Sequence, residues 1–180
     1  ALVDTFDVLR GKGCKNNNGV VEKQVHGYDT WERESLKNEE NPAPQYNLTE
    51  KKILRKYVGG DECDTEIAFE GRLVGGCMDC LVNLTGTSFD KDKEVNERYA
   101  ADGIIWFLES CDLNVFAIRR AMWQMDNAGW FKNVKGFLIG RPLCYGQEMM
   151  GLDQYRAVTG IAAKYNVPVI MDCDFGHLSP

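Results

Sequence analysis

An α/β domain built on a parallel or mixed sheet with a β-α-β-α-β core is the fold class this sequence predicts, and three observations predict it. Residues 103–108, 134–139 and 167–171 are short continuous apolar runs, the pattern of strands buried on both faces. Between the first two, Val115, Ile118, Met122 and Met125 recur at spacings of three and four, which is one helical stripe. Between the second and third, Leu152, Tyr155, Val158 and Ala162 do the same within a helix expected over 148–165. Crossovers of this length suit parallel pairing, and the handedness of such units sets the three strands side by side.

Taken in order, residues 1–65 read as a linker or insertion, partly irregular. They hold the polar run 12–18, a charged stretch over 31–41 and Pro42-Ala43-Pro44. A short helix is expected over 49–57, capped by Thr49 and broken by Gly59-Gly60. Residues 66–73 alternate apolar and charged, as a half-exposed strand does. A short apolar helix is expected over 77–84, ended by the polar run 85–88. After the 103–108 strand, Asp112 is the expected cap of the striped helix and Gly129 its stop. Asn166 closes the last helix. Pro168 enters the last strand at its start, where a missing amide is tolerated.

The 180 residues are 44% hydrophobic and 27% charged, which places the chain among globular domains and excludes a wholly disordered or coiled-coil protein. No apolar run approaches the ~20 residues of a membrane span, and no basic head with an apolar stretch opens the chain, so neither membrane nor secretion is expected. Twenty-one basic residues against 27 acidic ones give a net charge of -6. Without a basic stripe, nucleic acid is not an expected partner. Seven cysteines, an odd number partly inside core-like segments, point to a reducing compartment, hence the cytoplasm.

Sites in open parallel sheets form beyond the carboxyl ends of the strands. That rule selects Glu109 after the first run, Arg141 after the second, and the segment from Asp172 to His177 after the third. A carboxylate beside an imidazole has a chemical use. The carboxylate fixes the tautomer through one ring nitrogen, and the other nitrogen takes a proton from a nucleophile. Arg141 suits a substrate carboxylate held by two hydrogen bonds, or a surface ion pair. Trp31, in a polar loop, is the tryptophan placed for a ligand, whereas Trp106 and Trp123 read as core. Cys77 and Cys80 form a C-x-x-C without a second pair, so two buried thiols are expected, Cys77 mildly activated by the helix start. Asp172, Asp174 and His177, with Glu109 or Glu148 to complete the set, offer an alternative as a metal-assisted hydrolase. A non-catalytic binding domain of the same fold is a further alternative.

Several of these segments carry a family resemblance. Gly75-Gly76 with Leu81, Leu84, Gly86 and Thr87 resembles the Gly-Gly-Asn-Leu…Leu…Gly-Thr motif of the LD-carboxypeptidase family. That family includes the murein tetrapeptide carboxypeptidases and the microcin-C immunity hydrolases. The strand ending at Glu109, the stretch from Gly129-Trp130-Phe131 to Gly140-Arg141, and the closing Asp174-Phe175-Gly176-His177 resemble its other motifs, in the same order. The resemblance covers roughly 66–180 and implies the swivelling β/β/α C-terminal domain of that family. The segment from His26 through Trp31 is more similar to the immunity-hydrolase branch.

The resemblance implies a Ser-Glu-His triad in which Glu109 orients His177, the general base and then general acid. It implies no cofactor and no metal, a peptide or peptidyl-nucleotide substrate, and a homodimer. The family's serine lies on an elbow in an N-terminal domain that this chain lacks. Ser35, Ser88, Ser110 and Ser179 do not fit that elbow. The expectation is a C-terminal domain without its nucleophile, inactive alone, with an apolar patch where the other domain docks. Cys77 stands where the family has asparagine, so the substrate contact at that position is altered.

Overall fold

A computed structural model describes residues 14–15, 21–22 and 28–178. Expectations resting on the rest of the 12–18 run, on His26 and on Ser179 lie outside the described residues. The strands in chain order are β1 (Cys14–Lys15), β2 (Val21–Glu22), β3 (Thr30–Trp31), β4 (Glu50–Lys51), β5 (Arg55–Val58), β6 (Asp61–Glu62), β7 (Arg72–Cys77), β8 (Ile104–Glu109), β9 (Val134–Arg141), β10 (Glu148–Met149), β11 (Leu152–Asp153) and β12 (Val169–Gly176). The helices are α1 (Met78–Leu81), α2 (Asp92–Arg98), α3 (Val115–Asn127) and α4 (Gln154–Ala162).

Six strands form one mixed sheet in the order β6-β5-β12-β9-β8-β7. β7, β8, β9 and β12 run parallel, and β5 and β6 add an antiparallel edge. Three two-stranded ladders, β1-β2, β3-β4 and β10-β11, stand apart from it. Register sorts the sheet's two faces. Val74, Trp106, Phe137, Val169 and Tyr57 share one row, and the next row runs through Gly75, Phe107, Leu138, Ile170 and Lys56. The first row joins the core with Ile118, Met122 and Met125 of α3 and Ala157, Val158 and Ala162 of α4. Phe131 is fully buried, its ring edge-on to Trp106, Phe137 and Tyr165. Each such large side chain is worth about 1.5–3 kcal/mol of burial. On the second face Phe107, Leu138 and Ile170 are half-buried and Leu73 is exposed. No helix among the described residues is long and apolar enough to cross a membrane.

Local chemistry explains most boundaries. Asn114, not Asp112, caps α3, its Oδ1 accepting from the Ala117 amide at 2.9 Å. Asp153 caps α4 in the same way, accepting from the Arg156 amide at 2.7 Å. The expected helix over 148–165 therefore begins only at Gln154. Residues 148–153 instead form the β10-β11 hairpin, turned by Met150 and Gly151 at positive φ. Asn166 ends the last turn in the left-handed conformation. The helix expected over 49–57 does not form. A nine-residue helix is marginal without packing, and Arg55, Lys56 and Tyr57 pair with the edge of β12. Two strands of the six-stranded sheet, β5 and β6, thus come from the segment read as an insertion, and the sheet crosses the expected boundary at residue 65. The strand expected at 66–73 starts at Arg72, while Phe69 lies against Gly136 on the second face. Trp123, expected in the core, is exposed on α3.

The short helix α2 carries a testable electrostatic cost. Asp92 opens it, and Oδ2 accepts from Asn96 Nδ2 at 2.8 Å, while Oδ1 is buried without a partner. Burial pushes the Asp92 carboxyl up to about 6, above the ~3.9 of an unfolded aspartate. The folded state therefore resists ionisation, and the cost switches on as pH rises through that window. Asp92→Asn is expected to raise stability above pH 6. Urea unfolding at pH 7.5 and pH 3.5 checks this, the gain vanishing at the lower pH.

Candidate active site

The site lies at the carboxyl end of the parallel strands, on the face opposite α3 and α4. Side chains alternate across a strand, so Glu109 shares a face with Phe107. Register sets Cys77 of β7 directly beside Glu109 of β8. β9 comes next and contributes Gly140, which has no side chain to separate its neighbours. A Cβ there would stand 2.2 Å from the Phe175 carbonyl oxygen and 3.0 Å from Glu109 Cβ. The end of β12 can therefore cross over β9. Gly176, at φ 114°, then turns the chain beside the Glu109 carboxylate. The result is a 2.6 Å hydrogen bond between His177 Nδ1 and Glu109 Oε2.

Glu109 is 8% exposed, whereas the His177 side chain is 44% exposed. The carboxylate is buried and the ring opens to solvent. Nδ1 faces a carboxylate oxygen, which accepts, so in the neutral ring the proton belongs on Nδ1 and Nε2 keeps its lone pair. Cys77 completes the group: one ligating atom from each of Cys77, Glu109 and His177 lies within 4.8 Å of the others. The expected activation of Cys77 is not observed. Burial, with hydrogen bonding to Glu109, pushes its thiol up to about 12, so it stays protonated at neutral pH. Cys77 and Cys80 are both free.

Asp79 and Lys52 were not singled out by sequence. Asp79, in α1, accepts from the backbone amides of Cys111 (3.0 Å) and Asp112 (2.8 Å), pinning the turn that follows Glu109. Burial disfavours its charge, but these amide bonds outweigh that and lower its pKa. Lys52 reaches Asp174 from the amino-terminal segment at 2.8 Å. Asp174 also receives Arg141 Nη1 at 2.8 Å, and the same nitrogen donates to the Asp172 carbonyl at 3.0 Å.

Arg141 and Trp31 pack on each other, the guanidinium carbon 4.7 Å from the ring centroid. They are 1% and 3% exposed. Neither offers a ligand any surface here; they fasten the amino-terminal segment to the end of β9. The ligand set Asp172, Asp174 and His177 of the metal alternative is not brought together. Asp174 is bound to Lys52 and Arg141, Asp172 accepts from the Tyr155 hydroxyl at 2.9 Å, and neither joins His177 in a ligand group. Glu148 is exposed on the β10-β11 hairpin. Ser110 points away from its neighbour Glu109, fully buried beside Met78, Ile118 and Val158 in a cavity of about 10 Å³ that admits no substrate.

Gly140→Ala is expected to force β9 and β12 apart and cost about 1–3 kcal/mol, the usual range for overpacking. A lower urea midpoint, with a changed His177 imidazole resonance, is the readout; an unchanged resonance would argue against this role for Gly140.

Residues 70–180 match the family described as the LD-carboxypeptidase C-terminal domain. Among solved structures, MccF in complex with glutamyl sulfamoyl guanosine is similar at 16% identity and a TM-score of 0.67, over 99% of this chain and 48% of that one. An MccF-like protein from Streptococcus pneumoniae in complex with AMP is similar at 16% identity and a TM-score of 0.53, over 99% and 50%. Muramoyltetrapeptide carboxypeptidase from Oxalobacter formigenes is similar at 22% identity and a TM-score of 0.50, over 69% and 40%. The chain spans about half the length of these structures. No curated protein matches it.

Proposed function

Because this chain belongs to the LD-carboxypeptidase C-terminal domain family, we propose that it supplies the acid–base half of a serine-type amide hydrolase. The observation that carries the reading is the 2.6 Å contact between a buried carboxylate and a half-exposed imidazole. His177 Nε2 takes the proton of a serine hydroxyl contributed by a preceding domain. The serine oxygen attacks the amide carbonyl, the C–N bond breaks, and the same proton passes to the leaving nitrogen. Water then releases the acyl group by the reverse relay. Glu109 keeps Nδ1 protonated and stabilises the imidazolium formed between those steps. Asp79 and Gly140 hold the strand ends that place these two groups.

A peptidyl-nucleotide amide is the favoured substrate. Likeness to the MccF structures runs over 99% of the chain and includes the segment bearing Trp31 and Lys52, whereas likeness to the muramoyltetrapeptide carboxypeptidase stops at 69%. The test offers a glutamyl-nucleotide conjugate and an LD-linked murein tetrapeptide to the full-length protein and to this chain alone. The expected result is cleavage of the conjugate by the full-length protein and none by the chain. Cleavage by the chain at a comparable rate would place the nucleophile within it and overturn the reading.

A further inference from the structure

We propose that Cys77, Glu109 and His177 form a binding site for a borderline-soft divalent cation, Zn²⁺ being the best match. This goes beyond the hydrolase reading and does not depend on it. The three ligating atoms, a sulfur, a carboxylate oxygen and an imidazole nitrogen, lie within 4.8 Å of one another. Tetrahedral zinc, with bonds of about 2.0–2.3 Å, holds its ligands roughly 3.3–3.8 Å apart. Side-chain shifts of about an ångström close the site, and the half-exposed His177 ring is free to make them.

The backbone assembles the trio. Strand register sets Cys77 against Glu109, and the gap at Gly140 brings His177 over from β12. Mixed sulfur, oxygen and nitrogen donors select zinc or cobalt over magnesium and calcium, which demand oxygen. Three protein ligands with one side open to solvent leave a fourth position for water. Among the described residues, no other three histidine, cysteine or acidic side chains gather this closely. On binding, the S–H bond of Cys77 gives way to an S–Zn bond and its proton passes to solvent, while His177 ligates through Nδ1 as the tautomer that carries its proton on Nε2, the Nδ1 proton being exchanged through solvent. Where the hydrolase reading holds, the ion also occupies both groups of the relay, so zinc switches hydrolysis off.

Equilibrium dialysis of the reduced chain against Zn²⁺, with Co²⁺ as a spectroscopic probe, tests the site. The expected result is one equivalent of metal and a thiolate-to-cobalt charge-transfer band. Cys77→Ser should abolish the band. Cys77→Ser and His177→Ala should each weaken Zn²⁺ binding beyond the ~10–100-fold that losing an outer-shell partner costs. Cys80→Ser should change neither. Far-UV circular dichroism confirms that the near-isosteric serine variants fold. A cobalt band that survives Cys77→Ser, or zinc affinity indifferent to His177→Ala, overturns the proposal. Because the readout is binding, it stands or falls apart from any result on hydrolysis.

Discussion

On the hydrolase reading proposed above, Glu109→Gln in the full-length protein is expected to lower kcat by about 10⁴-fold with little change in KM, the loss typical when the carboxylate of a triad becomes an amide. Gln matches Glu in size, so the strand end at 8% exposure keeps its packing. The hydrogen bond changes sense. An amide nitrogen facing Nδ1 donates instead of accepting, which drives the ring proton to Nε2. The ring then meets the serine with a proton where it needs a lone pair. The half-exposed His177 has no other bond among the described residues to hold its tautomer. Hydrolysis assays of the parent and of Glu109→Gln, with unfolding midpoints alongside, check this. A kcat within tenfold of the parent would show that Glu109 does not orient the base.

Asp174→Ala is expected to cost about 3–5 kcal/mol, the range for removing one partner of a buried ion pair. Arg141 is the reason. It is 1% exposed, its charge is met by Asp174 Oδ1 at 2.8 Å, and its remaining contacts are a carbonyl and the Trp31 face. Without Asp174 that charge stays buried and unpaired. Lys52, the other partner, is partly exposed and can turn to water, so Lys52→Met should cost no more than about 1 kcal/mol. Urea unfolding of the chain measures both. Equal costs would contradict the burial argument.

The same cluster sets an acid limit. Burial disfavours the Asp174 charge, but hydrogen bonds from Lys52 and Arg141 outweigh it and hold its carboxyl below the ordinary range. Its stabilisation is therefore present above the unfolded value of ~3.9 and lost as pH falls through the lower folded value. Asp172, raised by burial, works in the opposite sense: the stability tied to its protonated form is present below ~3.9 and lost as pH rises through its higher folded value. In Asp174→Ala the acid-side fall in stability should be shallower.

What was legible in sequence follows from burial. β8, β9, β12 and α3 carry continuous apolar runs or a full stripe, because each is enclosed by its neighbours. The strand-end rule selected Glu109 and the segment around His177, and the chain brings both to one edge. The misses share a cause of another kind. β5 is a strand because β12 offers it an open edge, a partner more than a hundred residues away that leaves no local trace. Residues 148–153 keep a helical pattern, yet Gly151 and the Asp153 cap delay the helix. Lys52, Asp79 and the Arg141–Trp31 stack arise from tertiary encounters between distant segments. Gly140 did carry a signal: a glycine inside a buried strand marks close approach of another backbone.

The chain has two histidines, His26 and His177, so the His177 imidazole can be assigned with a single His26→Gln control. Nitrogen-15 NMR of that ring at neutral pH, in the parent and in Glu109→Gln, is the most direct measurement. The expected spectrum has a strongly downfield proton on Nδ1 that disappears in Glu109→Gln. A ring protonated at Nε2 alone, or one that does not respond to the Gln substitution, would contradict the arrangement on which the hydrolase reading rests.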